Sequence, residues 1–511
     1  METQKVQPVT SRPGMKMAVA VILAGGLLHA QSQDRTPQGN RARAEKENVQ
    51  FWNSVFSGNR ILRIHFHLTR QNWDRMMPEE SDFRGPGGRD RGRPQRRGPG
   101  RMTIEYEYVP AVVEVAGHRL ENIGLRYKGN SSFRASRRSL KRPLKMDTNR
   151  FEKGVKLFGR TKLNFSTSFH DPSFMKEKLA FEVFRAAGIP TPGAGWAQVT
   201  LTVEGLYKKK PLGLYVIVEQ MDRKYIRRKF GADSDGSLLM KPEGVFDWEY
   251  LGKDPGKYHR YGVKSGKKSK RLIPRFAALL RLIQEASDSE FTSSIAKYLD
   301  LEAMAGYLAA NALMTNLDSY AGSPHNYYIL LDRADLRVKI LPWDLNESFG
   351  GFGIERGREL LVRWDIKRPW TTRRRLLERL FEMTSFRKRY EGTVARLLEK
   401  SFSEAFLFAR IDAWKKILEP VLMKEPGGKG VEGLNRGIDG GRSDGSPFRR
   451  FWRRERRRPL VPLKPFLRDR ILSATRQLAG TEKGVKLEHR RMAPPRSGER
   501  PPGRPDEPWR R

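Results

Sequence analysis

The sequence predicts an α+β fold, with a strand-rich N-terminal half followed by a helix-rich C-terminal half. Three observations predict it. Period-two alternation, clearest in Ile61–Leu68 (ILRIHFHL), recurs in short runs as far as Val218. Helical spacing takes over from Asp222 onward, best in Ile273–Glu285 and Leu301–Thr315. The two regimes meet once, near Glu219, which is where a cleft between the halves is expected.

In chain order, Met17–Leu28 is an apolar run preceded by Arg12 and Lys16 and followed by Leu28-His29-Ala30. This is the three-part layout of a secretory signal over residues 1–30, or, if uncleaved, an N-terminal anchor. Residues 31–60 read as a linker. Residues 61–220 hold the strands, interrupted by an Arg/Gly-rich insertion at 79–101 whose composition cannot bury enough apolar surface to fold. Val109–Gly129 reads as two strands around a turn near Gly117, Gly129-Asn130-Ser131-Ser132 as a loop, and Leu140–Met146 and Thr161–Phe165 as further strands. The clearest helix follows: Asp171 caps its first turn, Pro172 suits its first position, and Met175, Leu179, Val183 and Ala187 form its apolar stripe before Gly188 and Pro190 stop it. Strands at Ala197–Val203 and Gly213–Val218 flank a lysine-rich loop. Residues 221–480 are helical, with helices from Arg373 through Lys416, a Gly-rich loop at 425–447 and a last helix at Leu463–Leu478; residues 481–511 read as a basic, Pro-rich tail.

Composition narrows the chemistry. The 511 residues contain no cysteine, which removes disulfides, thiolate zinc sites and cysteine nucleophiles. Lys and Arg total 99 against 58 Asp and Glu, a formal charge of +41 concentrated in Arg84–Arg101, Arg449–Arg458 and the tail. Such a chain adheres to anionic polymers. No helix-turn-helix, RNP or finger signature accompanies the charge, so no dedicated nucleic-acid module is expected.

The most informative stretch is Asn316–Gly350, NLDSYAGSPHNYYILLDRADLRVKILPWDLNESFG. It sets Asp318, Asn326 and Asp344 around two short β-rich runs joined by a turn. That layout can hold a divalent ion against a polyphosphate: a loop Asp near the accepting hydroxyl, a loop Asn on the metal, and an Asp after the next hairpin on the metal. Asp344 and Asn326 are the candidate ligands for Mg²⁺ or Mn²⁺, which favour oxygen donors, and Asp318 is the candidate to orient or accept the hydroxyl proton. Lys145 and Lys162, on strands ahead of the Asp171 helix, are alternatives for a phosphate-binding cation, with Glu177 on that helix as its partner. Gly129, Asn130, Ser131 and Ser132 either let backbone amides approach phosphate or form a plain hairpin loop.

Six blocks in order, GLRYKGNSSF (Gly124–Phe133), KRPLKMD (Lys141–Asp147), KLNF with DPSFMKEKLAFEVFRAAGIPTP, GLYVIVEQMD, LDSYAGSPHNYYIL and WDLNESFG, resemble the CotH kinase family of spore-coat-protein-H-like, atypical secreted protein kinases. The resemblance runs from about Leu62 to Leu478. It implies a two-lobed kinase-like fold, ATP with Mg²⁺ or Mn²⁺, and phosphorylation of Ser or Thr on an exported acceptor protein. It also implies that Glu219 lies at the lobe connection near the adenine. Two departures stand out: the family's Trp-Asp-Leu-Asp ends here in Asn346, and Lys128–Ser132 replaces a conventional Gly-rich phosphate loop. The rival expectation is a non-catalytic surface scaffold that grips anionic polymer through its arginine blocks.

Overall fold

A computed structural model describes residues 37–78, 104, 106–136, 139–242, 247–425, 429–441 and 459–488. The signal segment, the Arg/Gly insertion, the second arginine block and residues 489–511 lie outside the described residues. The elements are α1 (Pro37–Phe56), β1 (Ile61–Leu68), α2 (Arg70–Met76), β2 (Val109–Val115), β3 (His118–Tyr127), α3 (Ser131–Ser136), β4 (Leu144–Asp147), β5 (Lys162–Ser166), α4 (Lys176–Ala186), β6 (Ala194–Val203) and β7 (Tyr207–Glu219). They continue with α5 (Arg223–Phe230), β8 (Leu238–Met240), α6 (Ile273–Glu285), α7 (Asp288–Ser294), α8 (Leu301–Leu313), β9 (Tyr327–Leu331), β10 (Val338–Pro342), α9 (Arg358–Val362), α10 (Arg375–Glu382), α11 (Thr384–Glu399), α12 (Glu404–Leu422), α13 (Lys429–Asp439) and α14 (Leu463–Leu478). The fold is α+β, as the change in periodicity predicts.

The seven N-terminal strands close into a barrel in the order β1-β2-β3-β4-β5-β7-β6. Every pairing is antiparallel except β1 with β6, which is parallel and completes the ring. Closure removes the sheet edges. Alternation then sorts the side chains: Leu62, Ile64, Phe66, Val113, Leu125, Tyr127, Met146, Leu163, Phe165, Tyr215 and Ile217 fill the inside and form one apolar core. The residues between them face outward. The register Arg126↔Lys145, Lys145↔Asn164 and Asn164↔Val218 therefore lays a polar row across the outer face of three strands, ending at Val218 of the fourth.

A second core joins the helical half to the three-stranded sheet β10-β9-β8. Helix α4 is buried between the barrel and α8. Gly306 lets α8 come this close, because a Cβ there would stand 2.4 Å from the Ala187 carbonyl. The end of α8 is held by Arg470 of α14. Its fully buried guanidinium donates to the carbonyls of Ala312 at 2.8 Å, Leu313 at 3.4 Å, and Val362 and Trp364 at 2.7 Å each. Burial lowers its pKa to about 10, and still leaves it charged at neutral pH. Arg470→Ala strands those carbonyls in the core, and is expected to cost roughly 3–5 kcal/mol in chemical denaturation; a loss within 0.5 kcal/mol would contradict this.

The structure differs from the sequence expectations at four places. Residues 37–56 of the expected linker are helix α1, whose Trp52 and Val55 plug the barrel. Asp171 does accept from a first-turn amide, the Lys176 N–H at 2.8 Å, but the N-cap is Met175 and the helix begins at Lys176, four residues after the expected Pro172. The Asp171 carboxylate first closes a turn with the Ser173 N–H at 3.0 Å. Within the Gly-rich stretch, 429–439 is helix α13, because Leu434 and Ile438 are fully buried and Gly437 packs on Pro172 and Ser173. Past Glu482 the chain stays ordered to residue 488, with Val485 bridged to Trp364 and Leu487 buried.

Candidate active site

Helix α8 runs directly into the Asp318 loop, which is pinned on all sides. Asn316 donates to Asn311 Oδ1 at 2.9 Å, the Ser323 N–H closes the turn on the Leu317 carbonyl at 2.8 Å, and Arg374 donates to the carbonyls of Tyr320 and Gly322. Asp318 is thereby presented with two donors of its own: Ser323 Oγ at 3.1 Å on Oδ1 and Asn326 Nδ2 at 2.6 Å on Oδ2. His325 Nδ1 stands 3.8 Å from Oδ1.

The β9–β10 ladder brings the other two predicted residues alongside. Tyr327 pairs with Pro342, and the Trp343 N–H reaches the Asn326 carbonyl at 3.2 Å, so Asn326 enters the hairpin where Asp344 leaves it. Both take left-handed backbone, φ 53° at Asn326 and φ 56° at Asp344. Asn and Asp tolerate that region better than other side-chain-bearing residues, yet it still costs on the order of 1 kcal/mol each. Non-glycine residues in such conformations cluster at functional sites. Asp318 and Asn326 are thus in direct contact, and the hairpin sets the Asp344 backbone next to Asn326.

Glu177, in the first turn of α4, meets this group differently from expectation. It pairs with neither Lys145 nor Lys162. Its carboxyl accepts from the Leu345 N–H, leaving Oε2 buried with no partner. Burial first, then the neighbouring Asp344, pushes its pKa up to about 8, while Lys128 opposes the rise. The helical phase of α4 places Glu177 toward the Asp344 loop, while Lys145 and Lys162 are bonded elsewhere on the barrel.

The two lysines separate cleanly. Lys162 is committed to Asp147 at 3.6 Å and Asp222 at 3.9 Å. Among the described residues Lys145 has only a neutral hydrogen-bond partner, Gln220 Oε1 at 2.7 Å. Its pKa lies well below the usual lysine value, chiefly from burial and then from Arg126, Lys128, Lys162 and Lys241. Gln220 also accepts from Asn164 Nδ2 at 3.2 Å and donates to Tyr328 OH at 3.4 Å, tying the barrel to the sheet below. Lys128 and Lys241 each lie 5.8 Å from the centre of the Trp343 ring.

Glu219 is corrected. Strand alternation turns it to the opposite side of β7 from the Lys145 row. There it is 2% exposed, paired with Arg160 at 2.8 Å and with Arg228, and accepts from the Gly193 N–H at 3.2 Å. Its carboxylate is structural, and the residue that faces the site is its neighbour Gln220. In the Gly129–Ser132 segment, Asn130 Oδ1 is occupied by the Ile104 N–H at 3.1 Å, Gly129 accepts from Tyr106 OH, and Ser131 and Ser132 open the short α3. Its contribution to the cluster is the preceding Lys128.

Arg126, Lys128 (beyond its place at the head of the Lys128–Ser132 loop), Lys241 and Gln220 were not singled out from the sequence. Alternation carries a signal for the first two, since Arg126 and Lys128 flank the inward Tyr127 as Lys145 flanks Met146. Lys241 carries none, because only the packing of β8 against β9 brings it in.

The arrangement is a set of cations on and beside the barrel, above carboxyls from α4, the Asp318 loop and the β10 exit. The orphaned Glu177 Oε2 beside Asp344, with the Asn326 amide and Asp318, is an all-oxygen donor environment of the kind Mg²⁺ and Mn²⁺ take. Among the described residues, no three His, Cys, Asp or Glu side chains form a metal cage by themselves.

The comparisons with known proteins identify the family. The CotH kinase protein family matches residues 125–433, well over half of the chain, and the chain belongs to that family. Among relatives, the chain is similar to the inner spore coat protein H of Bacillus subtilis, 22% identical over 322 residues that span 62% of this chain and 82% of that protein.

Proposed function

We propose that this protein is an exported, metal-dependent phosphotransferase that moves the γ-phosphate of ATP to Ser or Thr hydroxyls of a surface or spore-coat protein. In this reading the barrel is the N-terminal lobe and the helical half the C-terminal lobe of a kinase-like pair. The observation that carries it is the unbalanced charge of the site: Lys145, with no carboxylate partner, stands among four other cations facing an acid cluster whose innermost member has an unpaired oxygen. A polyphosphate with its metal would satisfy both.

Asp344 and Asn326 would hold the ion, helped by Glu177 once it ionises, with phosphate oxygens and water completing its shell. When bound, that ion would draw charge from the phosphates. Lys145, Lys128 and Lys241 would fix the triphosphate, and Gln220 would keep Lys145 in place. Asp318, itself oriented by Asn326 and Ser323, would take the acceptor hydroxyl's proton as its oxygen bonds to phosphorus and ADP leaves. The spore-coat role of the relative, and the apolar N-terminal run, support placement at an exported surface.

The test is transfer of ³²P from γ-labelled ATP to the protein itself or to a Ser/Thr-rich acceptor, with and without Mn²⁺. Metal-dependent labelling that Asp318→Asn lowers on the order of a hundredfold or more is expected. Equal labelling by wild type and variant removes Asp318 from the chemistry. Absence of labelling, with retained binding to anionic polymer, supports the scaffold instead.

A further inference from the structure

On the far side of the first turn of α4 lies a second cavity of about 520 Å³. It is walled by the segment after α3, the 167–174 loop, the end of α12, α13 and residues 459–461. Lys176 lines it, whereas the next residue, Glu177, faces Asp344. Its volume falls within the roughly 300–1,000 Å³ of small-molecule sites.

Phe174 and Val461 give it apolar wall, and Glu425 and Glu432 also line it, yet three of its donor groups have no hydrogen-bond acceptor among the described residues. The Lys141 ammonium lies 4.7 Å from the Phe174 ring centre and 5.6 Å from that of Tyr215, and makes no hydrogen bond or ion pair among the described residues. Gly213 lies beside both Glu425 and Lys141: a Cβ there would crowd Glu425 Oε1 at 2.9 Å and touch Lys141 Nζ at 3.8 Å. Burial outweighs the attraction of Glu425 and lowers the Lys141 pKa to about 8. Arg436 Nε and Thr167 Oγ1, both buried, also lack partners. Lys176 adds positive charge but is already engaged with Asp171 and Glu347, and His170 Nε2 stands 3.7 Å from Glu347. Glu432 on the rim is exposed. Buried donors left open are costly unless something accepts from them.

The geometry points to a second ligand site that takes an amphiphilic anion, with a carboxylate or phosphate head on Lys141, Arg436 and Thr167 and a single apolar tail along Phe174 and Val461. This inference is independent of the phosphotransfer reading.

Calorimetric titration of the full chain with decanoate, decyl phosphate and decanol, each below its micellar range, tests it. Both anions are expected to bind one per chain, and decanol at least tenfold more weakly; the tighter head distinguishes a free fatty acid from a lysophospholipid source. Lys141→Met and, separately, Arg436→Met are expected to weaken the anions by about tenfold or more, the loss of one charge-assisted hydrogen bond. Asp344→Asn, in the other site, leaves the affinity unchanged. Equal binding of decanol, wild-type affinity in a folded Lys141→Met or Arg436→Met protein, or no binding by the wild type would each overturn the inference. If Lys141→Met does not fold, Arg436→Met decides.

Discussion

Asp344→Asn is expected to lower phosphoryl transfer by on the order of a thousandfold and yet to melt at a higher temperature than the wild type at pH 8 in metal-free buffer. Asn keeps the size of Asp and tolerates the left-handed backbone at φ 56°, so the substitution removes charge and little else. The gain in stability comes through Glu177. Its pKa rises from 4.5 to about 8 on folding, so between those values the folded protein holds a proton that the unfolded chain has released. Wild-type stability therefore falls as pH climbs from about 4.5 toward 8 and levels off above that. Burial is the larger cause of the shift and Asp344 the second. Without the Asp344 charge the folded pKa drops and the decline shrinks. Melting curves of both proteins at pH 5 and pH 8 check this: the gap should widen at pH 8, and parallel decline in the two would contradict the assigned contact.

Lys145→Met should likewise trade function for stability. The Lys145 pKa is lowered by burial first and by four neighbouring cations after it. For a lysine the sign runs opposite to Glu177. Below the folded pKa both states carry the proton and the whole penalty is present; it fades as pH rises toward the ordinary lysine value of 10.5, where both states are neutral. The wild type should gain stability with rising pH through that window, and the variant should not. Methionine fills a similar volume without charge, so at pH 7 the variant is expected to melt higher. It should also lose most of the stabilisation by Mn²⁺-ATP, which binding to the native state alone confers. A lower melting temperature with an undiminished nucleotide effect would show that Lys145 is a packing residue.

Both expectations express one physical theme. Glu219 has two arginines and a backbone donor, and Arg470 has four carbonyls. Glu177 Oε2 in the candidate site and Arg436 Nε in the second cavity have no hydrogen-bond partner among the described residues.

The sequence was readable where short-range rules dominate. Alternation in Ile61–Leu68 and helical spacing in Ile273–Glu285 and Leu463–Leu478 match the observed elements residue for residue, since each has one clearly apolar face. That Asn326 and Asp344 flank the two ends of one hairpin was also legible, because a two-stranded ladder with a short turn determines what its ends bring together. Barrel closure was not, since it depends on the β1–β6 pairing across more than a hundred residues. For the same reason the partner of Glu177 was misjudged: helical phase gives its direction, but only the packing of α4 shows that Leu345 and Asp344 lie there. Glu219 failed by a single residue, which in a strand is the difference between the two faces.

The central claim is that opposed clusters of buried cation and carboxylate form one receptor for a metal–triphosphate. Calorimetric titration of ATP into the wild-type protein, with Mn²⁺ and in chelator, measures this directly. Saturable one-to-one binding that requires the metal, and that is lost in Asp344→Asn and Lys145→Met alike, is predicted. Binding of equal strength in chelator, or in either folded variant, would show that the two clusters do not act on a common ligand.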